Sequence, residues 1–154
     1  MNPKYITLHC SATDPAKPFT KHNLYIAHVL TKKWSDIGYH YYIRTDGTIH
    51  PCRPMNRNGA HVRGHNTDNI GICLEGGVDR NGKAEANFTD IQLEAAHHLT
   101  QELAENYCID DKNIKGHRDW FEDLNGDGVI DHRDWLKECP CFDVAEWYAK
   151  GKEY

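Results

Sequence analysis

The chain has 154 residues, 39% of them hydrophobic, which fits one globular domain with its own core. Its formal net charge of -5 argues against nucleic acid or an anionic membrane as partner, because an acidic surface does not attract phosphates. No stretch has the apolar length of a signal peptide or a membrane span, so we expect a protein made in the cytoplasm, and we expect a monomer. The six cysteines are expected as free thiols, since a domain of this size needs no disulfides.

Three stretches carry strand patterns. Residues 5–9 (YITLH) are rich in β-branched and aromatic side chains, and the polar CSATD that follows ends the strand. The stretch HYYIRTDGTIHPCRP predicts a hairpin whose turn lies at Asp46-Gly47. Residues 70–77 (IGICLEGG) are mostly apolar, as is typical of a buried central strand. The polar stretch NRNGAHVRGHNTDN before it predicts a surface loop.

Helices are predicted at three places. One begins at the N-cap Thr20 and continues to Trp34, a capping box at Thr89 opens the longest one, and another at Asp143 opens a short helix that ends near Gly151. The apolar positions of the first two helices are Leu24, Ala27, Leu30, Trp34, Leu93, Ala96, Leu99, Leu103 and Tyr107. Strands alternating with helices predict an α/β fold: a single domain over residues 1–154 with a mixed central β-sheet flanked by helices.

The stretch DLNGDGVIDHRD has the pattern of a calcium-binding loop of twelve residues. Hard oxygen ligands recur at alternate positions, and Gly128 stands where the backbone must turn sharply. The predicted ligands are Asp123, Asn125, Asp127, the carbonyl of Val129, Asp131 and Asp134. We expect an EF-hand-like insertion at about residues 119–136, with DHRDWLK as a short exiting helix and calcium as a structural ion. A solvated connecting loop is the alternative.

A second metal site is suggested by residues that flank this loop. His117 precedes it, Cys139 follows it, and His9 stands at the end of the first predicted strand. Imidazole and thiolate ligands suit zinc, and three protein ligands leave a fourth position open, as in catalytic zinc sites. Spacing alone does not prove this site, because the three residues are far apart in the chain. Cys141 competes with Cys139 as the thiolate.

Several motifs, matched in order from about Tyr5 to Trp147, point to a known family. They are LHCSAT, DIGYHYYIRTDGTI, GAHVRGHNTDNIGICLEGG, NFTDIQLEA, the Gly-His pair at 116–117, and KECPCFD. Together they resemble the zinc-dependent N-acetylmuramoyl-L-alanine amidases of type 2, which include phage lysozyme-type endolysins and peptidoglycan recognition proteins. Several motifs in register are more specific than any one of them.

The resemblance implies a role for each matched residue. His9, His117 and Cys139 would hold a catalytic zinc, and Tyr39 and Lys137 would be the catalytic pair beside it. His61, in the GAH element, would line the substrate groove. His65 and Asn66 lie in the same polar loop, and we expect them to bind substrate as well. The partner would be peptidoglycan, cut at the amide bond between N-acetylmuramic acid and L-alanine. The acidic loop departs from the family, whose members have only a short segment at this place.

Three other functions compete with the amidase. A non-catalytic peptidoglycan-recognition module would keep the groove, but such members tend to lack the thiolate ligand. A cysteine hydrolase would pair Cys10 with a distant histidine. A calcium-regulated interaction protein would need paired calcium loops, and the sequence has one. The lack of a wall-binding domain favours a compact phage-type endolysin that reaches the wall after holin-type release, over a bacterial wall-remodelling enzyme.

Overall fold

A five-stranded mixed sheet forms the centre of the fold. The structure is a computed structural model, and it describes residues 1–151. In chain order the strands are β1 (Tyr5–Cys10), β2 (Tyr41–Ile43), β3 (Ile49–Pro51), β4 (Asn69–Leu74) and β5 (Ile114–Gly116). Their order across the sheet is β3-β2-β4-β1-β5, so β2, β4 and β1 are each paired on both sides.

The pairing directions decide where the strand ends meet. β1 runs parallel to both β4 and β5, and β2 runs parallel to β4 and antiparallel to β3. In this register His9 lies opposite Cys73, and Leu8 lies opposite Gly116. Because parallel strands end at the same edge of a sheet, the residues that follow β1 and β5 come together there, as in many ligand sites of α/β folds.

Helices cover both faces of the sheet. They are α1 (Lys21–Tyr25), which continues as a π-helix (Ile26–Thr31), α2 (Asp90–Tyr107) and α3 (Val144–Gly151), with 3₁₀ turns at Asp111–Asn113 and His117–Trp120. Thr20 is the N-cap of α1, as predicted, and it also forms a capping box with Asn23. Thr89 forms the predicted capping box of α2. Within residues 1–151, no helix is both long and apolar enough to cross a bilayer.

The main core lies between the sheet and helices α2 and α3. Its members include Ile6, Leu8, Ile70, Ile72, Leu74, Leu99, Leu103, Val144 and Tyr148. On the opposite face Leu24 of α1 packs with Ile37, Tyr42 and Cys73. The predicted α/β class with a mixed sheet flanked by helices is therefore confirmed.

Two local predictions differ from the structure. The hairpin turn is longer than a two-residue turn: Gly47 donates to the carbonyl of Arg44, and Arg44 donates to the carbonyl of Thr48. Gly47 follows the turn at φ 82°, a conformation that favours glycine. In the first helix the π-helical segment rotates the later side chains, so Leu30 is 51% exposed and is not a core residue.

The acidic insertion forms a loop with no helix after it, so the predicted exiting helix over residues 131–137 is wrong. Within residues 131–137 the chain makes a turn, in which the N–H of Asp134 donates to the carbonyl of Asp131 (2.9 Å). The carboxylate of Asp134 accepts from the N–H groups of Leu124, Asn125 and Asp131, which pulls the chain back on itself. Leu136 is 76% exposed, so a helix here would have little apolar surface to bury.

Candidate active site

His9, His117 and Cys139 lie together where β1 and β5 end. Their ligand atoms are all within 4.8 Å of one another. The Nδ1 atom of His9 is 3.9 Å from the Sγ atom of Cys139, and the ring centroids of His9 and His117 are 4.7 Å apart. His9 is the fifth residue of β1 and His117 directly follows β5, so the parallel pairing of these strands brings the two imidazoles together.

Backbone hydrogen bonds fix the thiol of Cys139 in this cluster. The carbonyl of Cys139 accepts from the N–H of Arg118 (3.0 Å), and its Sγ atom accepts from the N–H of Cys10 (3.2 Å). These two contacts hold the sulfur atom beside the imidazoles. The thiol of Cys141 instead donates to the carbonyl of Gly77 (3.3 Å). Between the two competing thiols, Cys139 is the one at the histidine pair.

The two imidazoles are held in their neutral, metal-binding form. Burial lowers the pKa of His9 well below its usual value, and the neighbouring His61, His117 and Lys137 lower it further. Burial, followed by the charge of Lys137, lowers the pKa of His117 to about 4. Both rings are therefore unprotonated at neutral pH and available as ligands.

Cys10 does not have the environment of a nucleophile. A hydrogen bond with the thiol of Cys139, together with burial, raises its pKa to about 12. A reactive cysteine needs the opposite, a lowered pKa next to a base. Cys10 is also only 7% exposed. The structure therefore disfavours a cysteine hydrolase based on Cys10.

Tyr39 and Lys137 flank the cluster. The ring of Tyr39 is 5.0 Å from that of His9. Burial is the main cause that raises the pKa of Tyr39 well above its usual value, so its hydroxyl stays protonated and can donate. Lys137 lies two residues before Cys139, lines the same cavity, and is close enough to lower the pKa of both His9 and His117. The expected catalytic pair is thus next to the expected ligands.

The cluster opens into a groove formed by two adjoining cavities of about 450 and 550 Å³. The residues that line both cavities are Lys32, Trp34, Ala60, His61, His117 and Lys137. Lys32 and Trp34 were not among the residues singled out from the sequence as substrate-binding. Trp34 was predicted as an apolar helix position, and Lys32 has no local signal. Both side chains reach the groove because the segment directly after the π-helix turns towards the sheet.

Phe19, in the wall of the first cavity, is held by a buried carboxylate that sequence reasoning also missed. Glu75 is fully buried and accepts from the N–H of Phe19 (2.6 Å) and the N–H of Thr45 (3.2 Å), and it pairs with Arg44. The hydroxyl of Tyr42 donates to the carbonyl of Phe19 (2.6 Å). In the sequence, only an acidic residue directly after the apolar run 70–74 marks this position.

The three residues expected to bind substrate have different places. His61 lines the groove, but it is buried and its Nδ1 atom lies 2.9 Å from the Nε2 atom of His9. Asn66 lines the second cavity, and its Oδ1 atom accepts from the N–H groups of His61 and Val62. His65 is outside the residues that line either cavity and stacks on Trp120, with ring centroids 4.7 Å apart.

The acidic loop is ordered by its own side chains. Asp123 accepts from the N–H groups of Gly126 and Gly128 (both 2.7 Å). The carboxylates of Asp127 and Asp131 are bridged by the guanidinium of Arg133, at 2.6 and 2.7 Å. The six oxygen ligands predicted from the sequence are therefore in one loop, and an internal cation pairs with two of them.

A cluster of two imidazoles and a thiol, at the strand ends of an α/β sheet and open to a groove, is typical of a catalytic metal site. The comparisons with known proteins identify the family. A model of the family described as N-acetylmuramoyl-L-alanine amidase matches residues 1–141. The chain therefore belongs to this family, and the predicted enzyme activity, hydrolysis of the amide bond between N-acetylmuramic acid and L-alanine in peptidoglycan, is confirmed.

Individual relatives agree over nearly the whole chain. The endolysin of Klebsiella phage KP32 is 34% identical over 148 residues, which cover 96% of this chain and 86% of that protein. The endolysin of Escherichia phage T7 is 33% identical over 147 residues, with the same coverage. Among solved structures, the N-acetylmuramoyl-L-alanine amidase LysC from Clostridium intestinale superposes with a TM-score of 0.73 at 30% identity, covering 97% of this chain and 85% of that one.

Proposed function

We propose that the protein is a zinc-dependent amidase of the endolysin type, in which His9, His117 and Cys139 hold the metal. The observation that carries this proposal is the convergence of two neutral imidazoles and one thiol within 4.8 Å. This donor set fits zinc, since nitrogen and sulfur ligands are those of zinc sites, whereas calcium and magnesium prefer oxygen. Bound zinc would polarise the amide carbonyl and activate a water molecule.

The remaining chemistry falls to the side chains beside the cluster. The transition state of amide hydrolysis carries negative charge on the former carbonyl oxygen, and the leaving amine needs a proton. The cation of Lys137 suits the first task, because it lies at the groove wall next to the cluster. Tyr39, whose hydroxyl stays protonated, suits donation of a hydrogen bond or a proton.

The groove is proposed to bind the glycan-peptide junction of peptidoglycan. Trp34 offers an apolar ring in its wall, and Lys32 and Lys137 offer positive charge. Asn66 would act on this surface by shaping the loop that carries His61, because its Oδ1 atom is engaged by two backbone N–H groups. His65, which stacks on Trp120, would contribute through the loop as well. The presence of Cys139 in the cluster disfavours the non-catalytic recognition module.

For the acidic loop we propose a structural calcium ion, bound by Asp123, Asn125, Asp127, the carbonyl of Val129, Asp131 and Asp134. The support is the spacing of the oxygen ligands and the position of the loop between His117 and Lys137. Calcium would replace Arg133 at the two carboxylates that it now bridges. Binding would order the segment that leads to Lys137 and Cys139.

Passage to the cell wall after holin-type release and the monomeric state also remain predictions.

The experiment is digestion of purified peptidoglycan followed by mass analysis of the products, with zinc and calcium measured on the same sample. We expect free stem peptides that begin with L-alanine, one zinc per chain, and loss of activity in a zinc chelator. A Lys137→Met variant should keep its zinc and lose at least about 100-fold in rate. Zinc-free protein with full activity, or wall binding without cleavage, would contradict the proposal.

A further inference from the structure

Each ring nitrogen of His61 takes part in one hydrogen bond, and the two bonds have different partners. Its Nε2 atom lies 3.0 Å from the carbonyl oxygen of Asn69, and its Nδ1 atom lies 2.9 Å from the Nε2 atom of His9. A carbonyl oxygen only accepts, so the proton of a neutral His61 ring is on Nε2. Its Nδ1 atom is then an acceptor.

The tautomer of His9 follows from that of His61. Because the Nδ1 atom of His61 accepts, the Nε2 atom of His9 must carry the proton and donate. The lone pair of His9 is then on Nδ1, the atom that lies 3.9 Å from the Sγ atom of Cys139. If His61 were protonated on both nitrogens, the proton of His9 would be on Nδ1 and would block this atom.

The protein also fixes the ring of His61 in place. Two glycines lie against it: a Cβ atom at Gly71 would be 2.7 Å from the Cδ2 atom of His61, and one at Gly59 would meet the same atom even more closely. The backbone N–H of His61 donates to Asn66 (2.7 Å). A ring so tightly enclosed has little freedom to rotate and exchange its two nitrogens.

We infer that His61 is a positioning residue. Its ring donates to the carbonyl of Asn69 and accepts the proton of His9 Nε2, and this arrangement keeps the lone pair of His9 Nδ1 directed towards the metal site. This inference rests on the proposed zinc centre, and it changes the role expected for His61 from substrate contact to control of a ligand. Partners that orient a metal-binding histidine typically change metal affinity 10- to 100-fold when removed.

The test measures zinc affinity by competition with a chromophoric chelator in three proteins: wild type, His61→Leu and His61→Asn. Leucine has a similar volume but no acceptor, so we expect roughly 10- to 100-fold weaker zinc binding. The Oδ1 atom of asparagine can stand where Nδ1 stands, so His61→Asn should bind zinc within a few-fold of wild type. His97→Leu is the control, because His97 is also buried and bonded to a backbone carbonyl, that of Tyr148, but far from the site.

A second readout needs no variant. In metal-free wild-type protein, ¹⁵N-resolved NMR of the histidine rings should show His9 with its proton on Nε2. A proton on Nδ1, or equal zinc affinity in wild type and His61→Leu, would overturn the inference. If wild type itself bound no zinc, the proposed function would fail first, so the two failures are distinguishable.

Discussion

The guanidinium of Arg133 lies 2.6 Å from the carboxylate of Asp127 and so holds a position where a calcium ion would compete with it. The same group lies 2.7 Å from Asp131, whose pKa it lowers. The calcium ion proposed for this loop would therefore have to displace the guanidinium of Arg133.

Replacing this cation should strengthen calcium binding. We expect Arg133→Gln to bind calcium about two- to five-fold more tightly by calorimetry, since exposed ion pairs are weak. Arg80→Gln, an exposed position in another loop, changes the net charge equally and should leave the affinity unchanged. Equal affinities in Arg133→Gln and wild type would mean that this ion pair does not compete with calcium. A melting temperature indifferent to calcium would argue against the ion itself.

The choice between the two neighbouring thiols predicts a clear difference. Cys139→Ser should lose zinc and activity, with zinc affinity falling by roughly 100-fold or more, because the proposed thiolate ligand is removed. Cys141→Ser should keep both within a few-fold, because its thiol faces Gly77. Metal analysis after dialysis, together with wall digestion, measures the two effects. The reverse outcome would show that Cys141 is the ligand.

Loss of the hydroxyl of Tyr39 should affect the chemical step and spare the metal. We expect Tyr39→Phe to lower kcat by about 10- to 100-fold, because a proton donor next to the cluster is removed, while KM and zinc content change little. Tyr41→Phe, on the core side of the sheet, is the matched control and should keep its kcat. A fall in zinc content with Tyr39→Phe would instead indicate a structural role.

His28 should make the fold less stable in acid. Burial is the main cause that lowers its pKa to about 4, so between pH 6.5 and 4 the unfolded chain binds more protons than the folded one. Its contribution to stability is therefore complete above pH 6.5 and is lost as the pH falls towards 4. In urea unfolding of metal-free protein, His28→Asn should show a shallower pH dependence over this window. Asparagine keeps an acceptor for the N–H of Gly38.

The control for this measurement is His22→Asn, an exposed position on the same helical segment. It should follow the wild-type curve. An unchanged slope in His28→Asn would mean that other buried histidines, such as His40, dominate the acid response.

Most of the fold had local signals in the sequence. Thr20 and Thr89 announce their helices through side chains that satisfy the first N–H groups, and these interactions act within four residues. The strand Tyr5–Cys10 could be predicted because many of its side chains are β-branched or aromatic. The predicted exiting helix over residues 131–137 is wrong because three hydrogen bonds to the Asp134 carboxylate, including those from Leu124 and Asn125, outweigh the local pattern.

The site was predictable only in part. Residue types and the predicted strand end suggest His9, His117 and Cys139 as candidates, but only the resemblance joins them into one site, since no local spacing links residues so far apart. The link between His9 and His61 had no sequence signal, because it depends on the loop after β3 folding over Gly71. Likewise Lys32 reaches the groove only through the π-helical turn before it. Such contacts are set by tertiary packing.

The span of the cluster has a consequence for the unfolded chain. His9 and Cys139 are separated by 130 positions, so a metal bound to both would act as a crosslink around most of the domain. In the chain-entropy view, closing a loop of this size removes unfolded conformations worth about 4–5 kcal/mol, comparable with a long-range disulfide. Within residues 1–151 all cysteines are free, so the chain has no disulfide there. The ion that takes part in the chemistry would thereby also stabilise the fold as a reversible crosslink.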